Sequence, residues 1–171
     1  MKNVILIGMP GCGKSTAGVI LAKSLGFDFT DTDLIISKKC GKKLQAVLDE
    51  DGIDYFLQME NKVGCELECR NTVVATGGSM VLSTDAMEHL KEIGTVVYID
   101  VPLDVLKKRI TNMKTRGIVF EKGESLDDVF KKRTPLYKKY ADITVTVAKN
   151  GNLENTVTRI ADFLHRKPQV K

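Results

Sequence analysis

Apolar residues run unbroken from Val4 to Ile7 and stop at a glycine. A short β-branched run of this kind predicts a strand buried on both faces over 2–7. From Lys14 to Leu25 the period changes. Ala17, Ile20, Leu21 and Leu25 fall near one face of a helix, and Gly26 stops it. "FDFTDTD" predicts a second short strand with acids at its end, and two or three helices should fill 33–70, punctuated by Gly41 and Gly52. "NTVVATGGS" reads as a strand and a glycine turn, "TDAMEHLKEIG" as a short helix closed by Gly94, and "TVVYIDV" as another buried strand. "PLDVLKKRITNM" predicts a helix with proline in its favoured first position. "KTRGIVFEKGES" is polar and glycine-broken, a loop. "SLDDVFKKR" predicts a helix from a capping serine, with "TPLYKKYAD" continuing after the proline. "ITVTV" is the last strand. "NLENTVTRIADFLHR" carries Leu153, Val157, Ile160, Ala161 and Leu164 on one side, an amphipathic helix after which the tail should fray. Strands alternating with helices imply a mostly parallel sheet covered on both faces.

Composition narrows the picture without changing it. With 171 residues, 43% hydrophobic and 28% charged, the chain suits one globular domain. The net charge of +4 fits a small anionic ligand and is too mild and scattered for nucleic acid. No apolar stretch approaches the ~20 residues of a membrane span. The first apolar run is short and leads straight into glycines, unlike a signal peptide, so the cytoplasm is expected. Cys12, Cys40, Cys65 and Cys69 form no CxxC pair. Cys65 and Cys69, four apart, could share a helix face and a zinc ion, but free thiols are the plainer expectation.

The chemistry starts at "GMPGCGKST". Gly8, Gly13, Lys14 and Ser15 fit G-x-x-x-x-G-K-[ST], with Gly11 as an extra glycine, between a strand and a helix. Glycines let backbone N–H groups curl inward around an anion, and the helix start adds its positive dipole end. Gly11, Cys12, Gly13, Lys14, Ser15 and Thr16 are therefore candidates to hold a nucleotide triphosphate. Lys14 would reach the β- and γ-phosphates and the Ser15 hydroxyl would ligate Mg²⁺. Cys12 inside the loop could be redox-sensitive, though a small residue that fits is the default. Next comes "DTD". In an extended segment Asp31 and Asp33 would point the same way, one toward Mg²⁺ and one toward an acceptor alcohol whose proton needs a base. The plain alternative is an aspartate capping the helix that follows.

In order along nearly the whole chain, "GMPGCGKST", "DTD", Phe56 and Glu60, "VVATGGS", "VVYIDVP", an arginine in a lid-like loop and "RTPLYKKYAD" resemble the shikimate kinase family of small P-loop kinases. The resemblance implies a three-layer α/β/α fold with a parallel five-stranded sheet, an acceptor-binding subdomain at about 33–70 and a mobile lid at about 113–124. It implies ATP and Mg²⁺, Asp31 as the magnesium-associated acid and Asp33 as the base that binds acceptor hydroxyls. It implies Gly77 and Gly78 as a turn beside the acceptor and Arg116 as the lid arginine near the phosphates. Arg109 would pack over adenine and Arg133 would grip the acceptor carboxylate. The plain alternative for Arg109 and Arg133 is a solvated basic helix face.

Three positions depart from the family pattern. Leu57 stands where F-R-x-x-E carries arginine, Ser79 where a third glycine is usual, and Arg116-Gly117-Ile118 where the lid reads R-P-L. Leucine cannot pair with a carboxylate. Its presence should cost roughly tenfold to a hundredfold in acceptor binding, which Leu57→Arg would test. The expectation is a monomeric cytoplasmic kinase of shikimate. Two alternatives remain: a kinase of another hydroxylated metabolite, or an ATP-binding regulator without activity. A GTPase is disfavoured, because the nearest string to N-K-x-D is Asn61-Lys62-Val63-Gly64.

Overall fold

Val4, Ile5, Leu6 and Ile7 are each no more than 1% exposed, as a strand covered on both faces requires. The computed structural model describes residues 2–110, 118–149 and 151–166. In it β1 (Asn3–Ile7) is the centre of a five-stranded sheet with β2 (Asp28–Asp31), β3 (Thr72–Ala75), β4 (Gly94–Asp100) and β5 (Ile143–Thr146), in the order β2-β3-β1-β4-β5. Every pairing is parallel. In register, Leu6 stands opposite Ala75, Ala75 opposite Asp31, and Ile7 opposite Tyr98. The chain therefore leaves β1, β2 and β3 side by side at one edge of the sheet, where ligands of such sheets bind.

Helices cover both faces. They are α1 (Lys14–Leu25), α2 (Thr32–Cys40), α3 (Leu44–Glu50), α4 (Gly52–Cys65), α5 (Thr84–Ile93), α6 (Leu103–Arg109), α7 (Leu126–Tyr140) and α8 (Leu153–Arg166), with a short 3₁₀ turn at Met80–Leu82. Gly26 ends α1 in the left-handed conformation (φ 67°), which glycine adopts without a Cβ penalty. One large core surrounds the sheet. A second, smaller cluster of Ile36, Val47, Phe56, Val63 and Val119 lies under α2, α3 and α4.

The pattern along the chain located these elements, with three corrections. The second strand stops at Asp31, because Thr32 already turns into α2. The helix expected over 102–113 is described only as Leu103–Arg109, with Pro102 capping it from outside and 111–113 beyond the described residues. As expected, the helix that starts after Ser125 continues through Pro135, as α7. Proline removes one helical N–H donor there, on an exposed face where water can take the orphaned carbonyl. Cys65 ends α4 and Cys69 lies beyond it, so the two do not share a helix face. Cys69 lines a groove with His89, whose ring meets the Leu67 carbonyl. Among the described residues no three candidate metal ligands converge.

Candidate active site

The loop after β1 folds around itself before it can receive anything. Gly11 and Gly13 adopt φ of 76° and 98°, a region that other L-residues rarely enter. A Cβ at Gly11 would also sit 2.7 Å from Ile110. Lys14 opens α1 and is only 8% exposed. Its ammonium donates to the carbonyls of Gly8 (2.8 Å) and Met9 (3.0 Å) and lies 3.6 Å from Cys12 Sγ. A lysine is thus held under the rim of the loop with each of its three donors on a loop acceptor, the weakest of them the thiol. Ser15 and Thr16 are exposed at the start of the same helix. The Cys12 thiol is turned inward, 2% exposed, and does not face the cavity. Its carbonyl accepts from the exposed Arg109, at 3.4 Å.

The two aspartates behave differently from the expectation of parallel side chains on a strand. Asp31 is the N-cap of α2: its Oδ1 accepts from the Asp33 backbone N–H at 2.9 Å, while its Oδ2 accepts from the Ser15 hydroxyl at 2.6 Å. The capping role falls on Asp31, not on Asp33. Asp33 sits in the first helical turn, free of that task and half-buried in the cavity wall. Burial, and then the charge of Asp31, push its carboxyl up to about 6, against the pull of Lys14.

Opposite Asp33 runs the turn after β3. Thr76 anchors it by bonds from its N–H and hydroxyl to the Leu6 carbonyl. The Gly77 N–H donates to Thr32 Oγ1 at 3.1 Å. A Cβ at 77 would run into Glu60 Oε1 and, at 2.7 Å, Asp33 Oδ1, so any larger residue there would have to displace both acids. Gly78 lies under Pro10, and its carbonyl accepts from Tyr137 Oη at 2.6 Å.

Arg133 contradicts the picture of a solvated basic face. It is 2% exposed, and Nη2 donates to the Val119 carbonyl at 2.7 Å. Its Nε and Nη1, like Glu60 Oε1, are buried without a protein partner among the described residues. Buried polar atoms are normally paired, so these three mark where a polar ligand fits. Glu60, 1% exposed, accepts from Ser79 Oγ at 2.5 Å on its other oxygen. Burial pushes its carboxyl up to about 8. All of these line one open cavity of about 280 Å³ that joins the glycine loop, Asp33, Phe56, Gly77, Ser79, Val119 and Arg133.

Leu57 is not in that wall. It packs on the second cluster and lines a neighbouring groove with Glu60, Asn61 and Ser79. Arg116 lies outside the described residues, as does the first part of the expected lid; Ile118 and Val119 border the cavity. The sequence pattern gave Glu60, Ser79 and Tyr137 no task. Phe56, Glu60 and Val63 follow helical spacing on the buried face of α4, so an acid inside an apolar stripe was the available signal. Tyr137 stands one helical turn from Arg133.

The shikimate kinase family model matches residues 10–165. A shikimate kinase of Persephonella marina is 36% identical over 147 residues, covering 85% of this chain and 89% of its own. One of Francisella tularensis subsp. novicida is 36% identical over 168 residues, covering 95% and 94%. Among solved structures, shikimate kinase from Acinetobacter baumannii in complex with shikimate superposes with a TM-score of 0.90 at 30% identity, covering 100% of this chain and 96% of that one. The Aquifex aeolicus enzyme gives 0.79 at 31%, covering 95% and 96%. With an ordered motif set, a matching sheet and relatives that span nearly its whole length, the chain belongs to the shikimate kinase family.

Proposed function

We propose that this protein is an ATP-dependent kinase that transfers the γ-phosphoryl group to a hydroxyl of shikimate. The observation that carries the reading is the set of buried, unpartnered atoms, Arg133 Nε and Nη1 and Glu60 Oε1, in one cavity with Asp33 and the glycine loop. A guanidinium suits a carboxylate, and Asp33 and Glu60 suit hydroxyls. Shikimate offers both groups.

In this reading the curled amides of Gly11 and Gly13 and the start of α1 cradle the triphosphate. Lys14 exchanges its loop carbonyls for phosphate oxygens and carries the charge that builds on the transferring group. Asp33 orients the attacking hydroxyl and takes its proton, while Arg133 and the Gly77–Gly78 turn hold the ring in line. Ser15 and Asp31, already 2.6 Å apart, supply the hydroxyl and carboxylate oxygens that a hard cation prefers, and would hold Mg²⁺. The metal, when bound, neutralises triphosphate charge. By resemblance, Arg109 packs on adenine and Arg116 reaches the phosphates from a lid at about 113–124 that excludes water. The helices at about 33–70, with their own apolar cluster, act as the acceptor-binding part. A monomer is the expected state in this reading, and four free cysteines fit the reducing cytoplasm.

The leucine at 57 favours a second reading, a hydroxylated acceptor other than shikimate. A coupled ADP-release assay with Mg-ATP decides between them. Shikimate-dependent turnover is expected. Turnover only with another polyol or hydroxy acid would select the second reading, and nucleotide binding without any product would leave a regulator.

A further inference from the structure

Two departures from the family pattern, Leu57 and Ser79, meet at one residue. Both line the groove behind Glu60, and Ser79 Oγ donates to Glu60 Oε2 at 2.5 Å. Ser79 is 4% exposed, so this bond lies inside the protein. An arginine at 57 would offer Glu60 a cation. Here no cationic side chain bonds to it among the described residues, and its one side-chain donor is the neutral hydroxyl of a residue that is usually glycine. We propose that Ser79 is a positioning residue for acceptor binding: its hydroxyl fixes the Glu60 carboxyl so that Oε1 faces the cavity beside Asp33, compensating for leucine at 57. The inference rests on the kinase reading above.

Charge balance explains why the exchange works. An arginine–glutamate pair contributes no net charge. A buried Glu60 beside leucine and serine also contributes none while it keeps its proton, which burial favours up to about pH 8. The charged groups that act on it are Asp33 on α2, Lys14 on α1 and Arg133 on α7. With Glu60 neutral, the Arg133 charge is left for the acceptor carboxylate. With Glu60 ionised, the two would neutralise each other, so the acceptor KM should rise above about pH 8.

Steady-state kinetics from pH 6 to 9 test this on the full chain. Ser79→Ala should raise the shikimate KM about tenfold, the weight of one buried hydrogen bond to a carboxyl. Turnover number and ATP KM should stay within roughly threefold. The alkaline rise in KM should move to higher pH, because the serine donor helps the ionised form. Adding Leu57→Arg should recover most of the lost affinity and flatten the profile. A Ser79→Ala enzyme with unchanged KM and pH profile, or a double variant no better than the single one, would overturn the inference. Should Ser79→Ala fold poorly, Ser79→Gly gives the same readouts. The Glu60 carboxyl can also be titrated by carbon-13 NMR without turnover: Ser79→Ala should move its midpoint upward, and an unmoved midpoint sinks the inference whatever the substrate. Wild-type protein that never turns over shikimate while that midpoint moves would overturn the proposed function alone.

Discussion

At the scale of single residues, one capping bond separates two otherwise similar acids. Asp31 spends its oxygens on the helix start and on Ser15, and so is fixed in position facing the loop. Asp33, one step further round, has no side-chain partner drawn from that cap and sits in the cavity wall with its proton affinity raised to about 6. A base must be unprotonated to accept the alcohol proton. Shikimate kcat/KM should therefore climb as pH rises through about 6 and then level, until Glu60 intervenes near 8. Asp33→Asn keeps the shape and removes the proposed base. It should lower kcat by about 10²–10⁴ and abolish the acid limb, with nucleotide affinity by calorimetry unchanged. A variant that retains the limb would transfer the role to another group.

At the scale of elements, α7 links the floor of the cavity to its wall. Its capping box, Ser125 with Asp128, fixes where the helix starts. The helical turn then places Arg133 and Tyr137 on one buried face. Tyr137 stacks on Tyr98 at 5.1 Å and bonds the Gly78 carbonyl. Tyr137→Phe should leave that carbonyl short of a partner, costing about 1–3 kcal/mol, or roughly 3–10 °C in Tm for a chain of this size. The acceptor KM should rise with it while the ATP KM holds. Loss of stability without any change in acceptor KM would confine Tyr137 to the core. This link also shows what could be read in advance. Strand positions, the loop around Lys14 and the helix starts follow from local pattern, since glycine, proline and apolar runs act through their immediate neighbours. The ladder order, the burial of Arg133 and the Ser79–Glu60 bond join residues distant along the chain, and no local period encodes them. The shared direction expected for the acids of "DTD" was lost for a subtler reason: the helix begins at Thr32, inside the acidic run, and the two side chains part company there.

At the scale of the whole molecule, the cavity costs the fold something that can be measured. Both Asp33 and Glu60 hold protons more tightly folded than unfolded, up to about 6 and 8 against ordinary values of 3.8 and 4.5. Well below the unfolded value of 3.8 both states are protonated and nothing is lost. As pH rises the unfolded chain ionises first, the folded chain binds more protons, and stability falls until both groups have titrated. For Glu60 alone the shift corresponds to an order-of-magnitude ceiling of about 5 kcal/mol. Wild-type Tm should thus decline between pH 5 and 8. Glu60→Gln, neutral throughout and still able to accept from Ser79, should flatten most of that decline and raise Tm at pH 8. Comparing the two proteins cancels the titration of surface carboxylates that both share. If the two melting profiles run parallel from pH 5 to 8, Glu60 is charged in the folded protein, and Arg133 must then be its partner rather than the acceptor's.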